Sequence, residues 1–469
     1  MLFSWATALR LLTLAPLILA APTSQPVKRV PLKPDNDPFY DPPAGYENEA
    51  PGAILKTRQV VASFLGILPA ANVQTYQLLY RTTSINGTAI AGVTTVFKPL
   101  FNPMKDRFIS FHTAYDASAT ICNPSYNYQL FASQVDLISS VEFLLLEAYA
   151  ASGYIVSSPD YEGPDAAFSA GRLSGMGVLD SMRAVSNFHE TLGLTTSTPK
   201  IVGTGYSGGA IATGWAASLQ PSYAPELPIV GWAQGGTPAN LTGTAELIDN
   251  TAFSGFLPPS IVGLMKPSAY EATLAPRIEE IITPMGQSKL DFAEENCIAN
   301  LANFFEQSVK STDFQSLGDQ IFYDPVIGGV LAEQTMGVNA NETPTVPVYM
   351  YHATKDEIIP YANASTLADS WCDKGASVNF VTFESGGHAT TEVLGFPSAY
   401  EFVTNAFAGK IATSGCTASS TLNNTLDPIA LGANLEPILT SLIDALANLG
   451  EDDSNMKADI GVLNFSVPT

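Results

Sequence analysis

Residues 200–219 read KIVGTGYSGGAIATGWAASL, and this stretch places a strand pattern, a glycine-rich turn and a helix pattern in direct succession. Within it, Gly205-Tyr206-Ser207-Gly208-Gly209 fits the motif G-x-S-x-G. The small residues that flank the serine allow a strained turn that lifts its hydroxyl above a sheet and faces it with the positive end of the following helix. The motif alone also occurs in ordinary glycine-rich turns, but its strand–turn–helix setting predicts that Ser207 is a nucleophile.

The remainder of the chain predicts an α/β fold around this turn. Short apolar runs alternate with longer helical patterns, which is typical of a mostly parallel sheet with helices on both faces. Five runs are the predicted strands: Phe108–His112, Tyr154–Ser157, Lys200–Val202, Val346–Tyr351 and Val378–Phe383. Each is followed by a polar loop, and chemistry gathers at the carboxyl ends of such strands.

A serine nucleophile needs a base, and the chain contains four histidines. In the α/β-hydrolase arrangement the triad follows the chain order Ser, acid, His. His388, in the loop ESGGHATTE after the last predicted strand, fits this order. His112 precedes the serine, His189 lies in a helical stretch, and His352 precedes any acid on its own loop.

The predicted acid is Asp356, in HATKDEIIPY at the end of the strand before His388. A carboxylate at this position orients the imidazole and stabilises its cationic form. Glu357 is the reserve candidate, whereas Glu384 is too near His388 on the same strand.

An oxyanion hole needs backbone N–H donors directed at the tetrahedral intermediate. One donor is expected from Gly208, the residue after the nucleophile. The second is expected from HTAYDASAT after the first predicted strand, where Asp116 or its neighbour Ala117 is the candidate. The alternative is that Asp116 is a plain turn residue.

The domain organisation follows from these patterns. Residues 30–60 are proline-rich and predict an extended surface arm. We expect residues 30–239 and 337–425 to form the two parts of the core. Between them, residues 240–336 predict a helical cap whose apolar segment Thr251–Pro267 is either a lid or acyl tunnel or simple packing. Residues 426–469 contain an amphipathic helix at 435–449, which we expect to pack on the body rather than to contact lipid.

The N-terminus indicates secretion. Residues 1–20 are typical of a signal peptide, because the apolar run Leu11–Ala21 is too short to span a bilayer. Ile18 and Ala20 suit the −3 and −1 positions of a signal-peptidase site, so we expect cleavage after Ala20. The alternative is an uncleaved anchor or a buried helix. Residues 21–29 are a possible propeptide ending at the dibasic pair Lys28-Arg29, which is otherwise an ordinary solvated pair. N-glycosylation sequons begin at six asparagines: Asn86, Asn240, Asn341, Asn363, Asn423 and Asn464.

Four cysteines, an even number, suit disulfide bonds in an oxidising compartment. They are Cys122, Cys297, Cys372 and Cys416, and their number allows three pairings. None forms a CxxC motif, and the histidines have no ligand partners at helical spacing, so we expect no metal and no redox cofactor.

Composition excludes other partners. The 469 residues include 21 Lys and Arg against 44 Asp and Glu, a net charge of −23. Without a basic surface, neither nucleic acid nor an anionic membrane is an expected partner. With 46% hydrophobic and 14% charged residues, the chain is not a disordered acidic protein. We expect contact with neutral lipid interfaces through apolar patches near the cap.

These motifs together resemble the fungal secretory lipase family, the Candida antarctica lipase A type. The matching segments are YDASATICNPSYNY, SPDYEGPDAAFSAG, GYSGGA, ATKDEIIPY and SGGHAT. The resemblance favours Asp116 as the second oxyanion donor and implies the disulfides Cys122–Cys297 and Cys372–Cys416. It leaves the cap, and therefore the acyl-chain preference, undetermined.

The expected function is that of a secreted serine carboxylic-ester hydrolase, with triacylglycerol as the first substrate class. Alternatives on the same triad are a deacetylase of acetylated secondary metabolites, such as trichothecene esters, and an acyltransferase. A peptidase is compatible with the triad but disfavoured by the resemblance. An inactive adhesion module is disfavoured by the complete set of Ser207, Asp356 and His388.

Overall fold

The computed structural model describes residues 30–70, 72–133, 136–298 and 304–422. The predicted signal peptide and propeptide, the helix at 435–449 and the sequons at Asn423 and Asn464 lie outside these residues. Among the described residues, no helix is both long and apolar enough to cross a membrane.

The strands are β1 (Ile54–Val60), β2 (Ser63–Phe64), β3 (Leu68–Pro69), β4 (Val73–Thr83), β5 (Ala89–Pro99), β6 (Arg107–His112), β7 (Ile155–Pro159), β8 (Lys200–Tyr206), β9 (Ile229–Gly235), β10 (Val348–Ala353), β11 (Val378–Phe383) and β12 (Thr417–Thr421). Ten of them form one sheet at the centre of the molecule, in the spatial order β1-β4-β5-β7-β6-β8-β9-β10-β11-β12. In this spatial order the strands from β7 to β12 pair parallel, whereas β1, β4, β5 and β7 pair antiparallel. A separate hairpin joins β2 and β3.

The helices are α1 (Pro124–Asn127), α2 (Leu137–Ala151), α3 (Gly171–Asn187), α4 (His189–Leu192), α5 (Gly208–Tyr223), α6 (Leu241–Ile248), α7 (Leu257–Leu264), α8 (Glu271–Ile281), α9 (Pro284–Glu295), α10 (Pro325–Glu333), α11 (Tyr361–Asp373) and α12 (His388–Phe407). They cover both faces of the sheet, and each face has its own apolar cluster. One cluster packs the sheet against α3, α5 and α11, and the other packs it against α2 and α12. The predicted fold class is confirmed.

The connection between β9 and β10 is helical in its described part. Helices α6 to α10 lie within it, and their buried faces continue the cluster that covers α3 and α5. We call residues 240–336 the cap, as the sequence patterns suggest.

Half of the sheet is not among the five predicted runs, namely β1, β4, β5, β9 and β12. The proline-rich stretch 30–60 is not wholly an arm, because its end forms the edge strand β1. Strand β9, IVGWAQG, lies between β8 and β10 and is missing from the five predicted runs. Its two glycines and its glutamine weaken the apolar pattern on which that prediction depended.

Parallel strands end at one edge of the sheet, and the loops that carry the candidate residues all follow such ends. The loop after β6 carries Asp116, and Ser207 directly follows β8. Asp356 follows β10, and His388 follows β11 as the first residue of α12. Residues far apart in the chain therefore meet at this edge.

Candidate active site

Ser207 lies at the turn between β8 and α5 with φ 52° and ψ −121°. Such a backbone is rare for a residue other than glycine and stores strain. The turn can adopt this conformation because the residues that follow Ser207 are glycines, and a side chain would not fit beside the surrounding backbone. A Cβ on Gly209 would lie 1.9 Å from the carbonyl oxygen of His112, so only glycine fits there. The turn holds Ser207 at the amino end of α5.

The imidazole of His388 connects the serine to a carboxylate. Its Nε2 lies 2.8 Å from Oγ of Ser207, and its Nδ1 lies 2.7 Å from Oδ2 of Asp356. Because the carboxylate can only accept, Nδ1 carries the proton and Nε2 is free to accept from the serine. The sequence order Ser, Asp, His thus corresponds to a continuous hydrogen-bonded chain.

The backbone of His388 is fixed on both sides. Its N–H donates to Oε2 of Glu357 at 3.0 Å, and its carbonyl accepts from the hydroxyl of Tyr206 at 2.7 Å. Glu357, the reserve acid of the sequence analysis, therefore bonds the main chain of His388 rather than its ring. These contacts restrict the position of the imidazole.

Asp356 is buried among donors. Its Oδ1 accepts from the backbone N–H groups of Ile358 and Ile359, at 3.0 and 2.8 Å. Its Oδ2 is 3.2 Å from Nε2 of His352, in addition to the contact with His388. Burial alone would raise the pKa of Asp356, but the two histidines outweigh it and hold the pKa well below its usual range. Asp356 is charged.

Asp356 in turn changes the titration of His388. Burial opposes a positive charge on the imidazole, whereas the carboxylate of Asp356 favours it more strongly. The pKa of His388 is therefore raised above its ordinary value. This is the property expected of a base that becomes cationic during the reaction.

His352 is a residue that sequence reasoning missed. It was set aside because it precedes Asp356, yet its Nε2 also lies 3.0 Å from the carbonyl oxygen of Ile359. It thus bridges the acid and the loop that holds the acid. A His and an Asp four residues apart at a strand end was the only sequence signal for this contact.

The remaining histidines lie apart from Ser207. His112 is fully buried, and its ring nitrogens contact Thr213 and Ser110. Burial lowers its pKa to about 3, so it is neutral. His189 begins the short helix α4 and contacts the carbonyl of Ser186.

The candidate oxyanion donors lie together. Gly208 is the first residue of α5, and Asp116 has a left-handed backbone with φ 41°. A Cβ on Gly208 would lie 1.7 Å from Oδ1 of Asp116, so the two residues are packed directly against each other. Both line the cleft at Ser207, whereas Ala117 is buried in the core. Burial raises the pKa of the Asp116 carboxyl to about 7, although His388 opposes the rise.

An apolar cavity at Ser207 and a second one within the cap lie side by side, and we call them the outer and inner parts of the cleft. Its outer part is lined by Ser207, Asp116 and side chains from α6, α7 and the acid loop. Its inner part is enclosed by α6, α7, α8 and α10. The two parts share Leu241, Ala245, Leu257 and Ser260.

The structure pairs Cys122 with Cys297 and Cys372 with Cys416. The first bridge joins the segment after β6 to the cap, and the second joins α11 to the start of β12. Within the described ranges, no group of three His, Cys, Asp or Glu side chains could hold a metal ion.

The described sequons differ in exposure. Asn86 and Asn341 are exposed, whereas Asn240 is half-buried and accepts from the N–H of Gly243 at the start of α6. The amide nitrogen of Asn363 is buried and lies where a Cβ of Gly243 would be. Glycosylation stays a prediction, and these positions favour Asn86 and Asn341 as sites.

Comparison with known proteins finds similar lipases. Residues 129–415 match the family model described as secretory lipase. A secreted triacylglycerol lipase of Malassezia restricta is 39% identical, with 96% of each chain covered. A secreted triacylglycerol lipase of Malassezia furfur is also 39% identical, over 87% of this chain and 83% of its own. The crystal structure of Candida antarctica lipase A in its closed state is similar with a TM-score of 0.78 and 32% identity, covering 88% of this chain and 96% of that one.

Proposed function

Because the chain belongs to the secretory lipase family, we propose that it hydrolyses triacylglycerols through Ser207, His388 and Asp356. The observation that carries this proposal is the hydrogen-bonded chain from Ser207 through His388 to Asp356, which opens into an apolar cleft. The chain is a carboxylic ester hydrolase, and the assignment of residues and substrate is ours.

In the first half of the reaction, His388 takes the proton of Ser207 as Oγ attacks the ester carbonyl. The charge of Asp356 stabilises the imidazolium that forms. The amides of Gly208 and Asp116 donate to the oxyanion, and a single donor of this kind contributes about 3–4 kcal/mol to the transition state. His388 then protonates the leaving alcohol, which is a diacylglycerol when the substrate is a triacylglycerol.

In the second half, water replaces the alcohol. His388 removes a proton from the water as it attacks the acyl-enzyme, and the same amides stabilise the second oxyanion. His388 returns the proton to Ser207 and a fatty acid leaves. No metal ion is required in these steps, because the serine, the imidazole and the amides supply the nucleophile, the base and the electrophile.

The cleft supports a fatty acyl substrate. Its inner part is lined by Leu264, Leu274, Ile278, Val330, Leu331 and other apolar side chains of the cap, which suit an alkyl chain and offer few hydrogen bonds. Burial of each CH₂ group contributes about 0.8 kcal/mol, so a chain that fills the cleft gains binding energy with length. This favours long acyl chains over acetyl groups.

The test is a chain-length profile on p-nitrophenyl esters, with emulsified triacylglycerol as the lipid substrate. Ser207→Ala should abolish both activities and labelling by a fluorophosphonate probe. Secretion should be unchanged. Retained hydrolysis by this variant would overturn the mechanism, and a preference for acetate would instead favour the deacetylase alternative.

A second variant tests the cleft itself. Ala245 lies where its outer and inner parts meet, so Ala245→Trp should reduce hydrolysis of long-chain esters while short esters are still cleaved. Leu247→Trp is the matched control, because Leu247 is exposed on the same helix α6. Equal loss on all chain lengths would show that the cleft does not bind the acyl chain.

A further inference from the structure

Two buried glutamates from different helices meet behind the active-site edge. Glu142 lies on α2, and Glu392 lies on α12, the helix that begins at His388. The two carboxyls interact directly, and the buried Oε1 of Glu392 has no hydrogen-bond partner elsewhere among the described residues. Both are buried, with exposed fractions of 2% and 8%.

A hydrogen bond between two carboxyl groups requires a proton, because an ionised carboxylate only accepts. Glu142 and Glu392 therefore hold at least one proton between them, which we call the shared proton. The charged and titratable groups that act on the pair are His388, Asp116 and Asp136. Tyr128, Tyr161 and Tyr351 also face it. Among these groups His388 alone can carry a positive charge.

The pair connects two parts of the catalytic machinery. Oε2 of Glu142 accepts from the backbone N–H of Ala114 at 2.9 Å. Ala114 is two residues before Asp116, the candidate oxyanion donor. Glu392 is one helical turn after His388, the candidate base. A continuous path thus runs from the oxyanion loop through both carboxyls to the histidine helix.

We propose that Glu142 and Glu392 are positioning residues, which share a proton and hold the oxyanion loop at a fixed distance from His388 until alkaline conditions remove that proton. This inference rests on the proposed function of Ser207 and His388. Neither glutamate needs to touch the substrate.

The burial of the pair favours the protonated form in the neutral range. Burial raises the pKa of Glu392 to about 7 and that of Glu142 well above its usual value. The shared proton is therefore present below these pKa values and is lost as the pH rises through them. Loss leaves two negative charges at hydrogen-bond distance in the interior, and their repulsion separates α12 from the oxyanion loop.

The experiment compares Glu392→Gln with the unmodified protein across pH, using kcat and kcat/KM on p-nitrophenyl butyrate. A glutamine donates to Glu142 at every pH, so the connection survives ionisation of its partner. We expect kcat within about threefold of the unmodified value at pH 6. We also expect the alkaline limb of kcat/KM to move up by about one pH unit or more.

Glu142→Gln is the second variant, and it should shift the limb in the same direction because its amide still accepts from Ala114 and donates to Glu392. Glu392→Ala removes the connection, and we expect about a tenfold loss of kcat with little change in KM. Glu147→Gln is the matched control. Glu147 is also on α2, and burial raises its pKa to about 7, but it is outside the pair. Its variant should leave the limb unchanged.

The outcomes separate the two proposals. Failure of the unmodified protein to hydrolyse esters or to bind a fluorophosphonate would overturn the proposed function. If the unmodified protein is active but both glutamine variants keep its alkaline limb, the positioning role is wrong. A shift of equal size in Glu147→Gln would also refute it, because the effect would then belong to general burial of carboxyl groups.

Discussion

Asp356 and Glu392 are both 8% exposed and both influence His388, but their surroundings favour opposite charge states. Asp356 accepts from two backbone N–H groups and contacts two histidines, so its pKa is lowered and it is charged. Glu392 is joined to a second carboxyl, and burial raises its pKa to about 7. Burial is therefore not what decides the charge of a carboxyl here. The contacts with histidines decide, because Asp136 also accepts from two backbone N–H groups and yet has a raised pKa.

Glu392 belongs to a larger group of buried carboxyls, which we call the neutral acid cluster: Asp116, Asp136, Glu142, Glu162 and Glu392. In each, burial is the largest cause of a raised pKa. The proposed active site thus combines a charged acid on the Asp356 side of His388 with acids on the side of the oxyanion loop whose raised pKa values favour the protonated form at mildly acidic pH. This arrangement keeps negative charge where an imidazolium forms and away from the place where an oxyanion forms.

The largest expected effect comes from removing the charge of Asp356. Asp356→Asn should lower kcat by about 10⁴-fold, since a neutral amide stabilises neither the imidazolium nor the tautomer with the proton on Nδ1. The measurement is single-turnover and steady-state hydrolysis of a soluble ester, with the thermal midpoint as the control for folding. A loss below about tenfold would show that Asp356 is no more important to catalysis than a neutral partner.

The second effect concerns stability. A buried carboxyl whose pKa is raised binds its proton more tightly in the folded state, so its contribution is fully present below its ordinary pKa and is lost as the pH rises to the raised value. Burial raises the pKa of Glu392 to about 7, so this stabilisation is lost as the pH rises through that value. Asp116, Asp136 and Asp160 show the same direction. We expect the thermal midpoint to fall by an amount on the order of 10 °C between about pH 5 and about pH 8.

The lowered pKa of Asp356 predicts the opposite pH dependence of stability, at lower pH. Its contribution is present above its ordinary pKa and is lost as the pH falls through the lowered value. Stability should therefore be greatest in the mildly acidic range, and calorimetry across pH measures both limbs. A midpoint that rises from about pH 5 to about pH 8 would contradict a neutral acid cluster.

The sequence predicted the residues Ser207, Asp356 and His388 but not the neutral acid cluster. Ser207, Asp356 and His388 could be selected because a motif, a chain order and strand ends constrain them. The neutral acid cluster has no such pattern. Glu142 and Glu392 lie in helices, where a glutamate normally faces solvent, and they are 250 residues apart. Only the tertiary packing of α2 beside α12 reveals that they meet.

The same limit applies to the fold. The predicted strands Phe108–His112 and Val378–Phe383 match β6 and β11, because short runs rich in β-branched and aromatic residues are typical of strands. β9 was missed because its glycines are required by neighbours rather than by local propensity. A Cβ on Gly235, for example, would lie 2.3 Å from the ring of Tyr351. Such a contact depends on a residue more than 100 positions away.

The third prediction tests the donors that keep Asp356 charged. His352→Phe removes the contact of Nε2 with Oδ2 of Asp356 and with the carbonyl of Ile359. A hydrogen bond to a charged group contributes about 1.5 kcal/mol, so kcat should fall by about tenfold. His352→Gln, which keeps a donor, should recover part of this loss. Equal losses in both variants would indicate a packing role for His352 rather than support of the charge.

The smallest effect is expected at Asp116, where the carboxyl is already neutral near pH 5 because burial raises its pKa to about 7. Asp116→Asn keeps the size of the side chain and tolerates the left-handed backbone, so kcat/KM should change by less than about threefold at that pH. Above the pKa, the unmodified side chain becomes a negative charge beside Gly208 and opposes the oxyanion, whereas the asparagine does not. The ratio of variant to unmodified activity should therefore rise between about pH 5 and about pH 8.

Asp136→Asn is the matched control, because Asp136 has a similarly raised pKa but caps α2 instead of lining the cleft, and its ratio should stay constant. A loss of about 100-fold at pH 5 in Asp116→Asn would mean that the protonated carboxyl itself takes part in catalysis and is not merely an uncharged neighbour of the oxyanion.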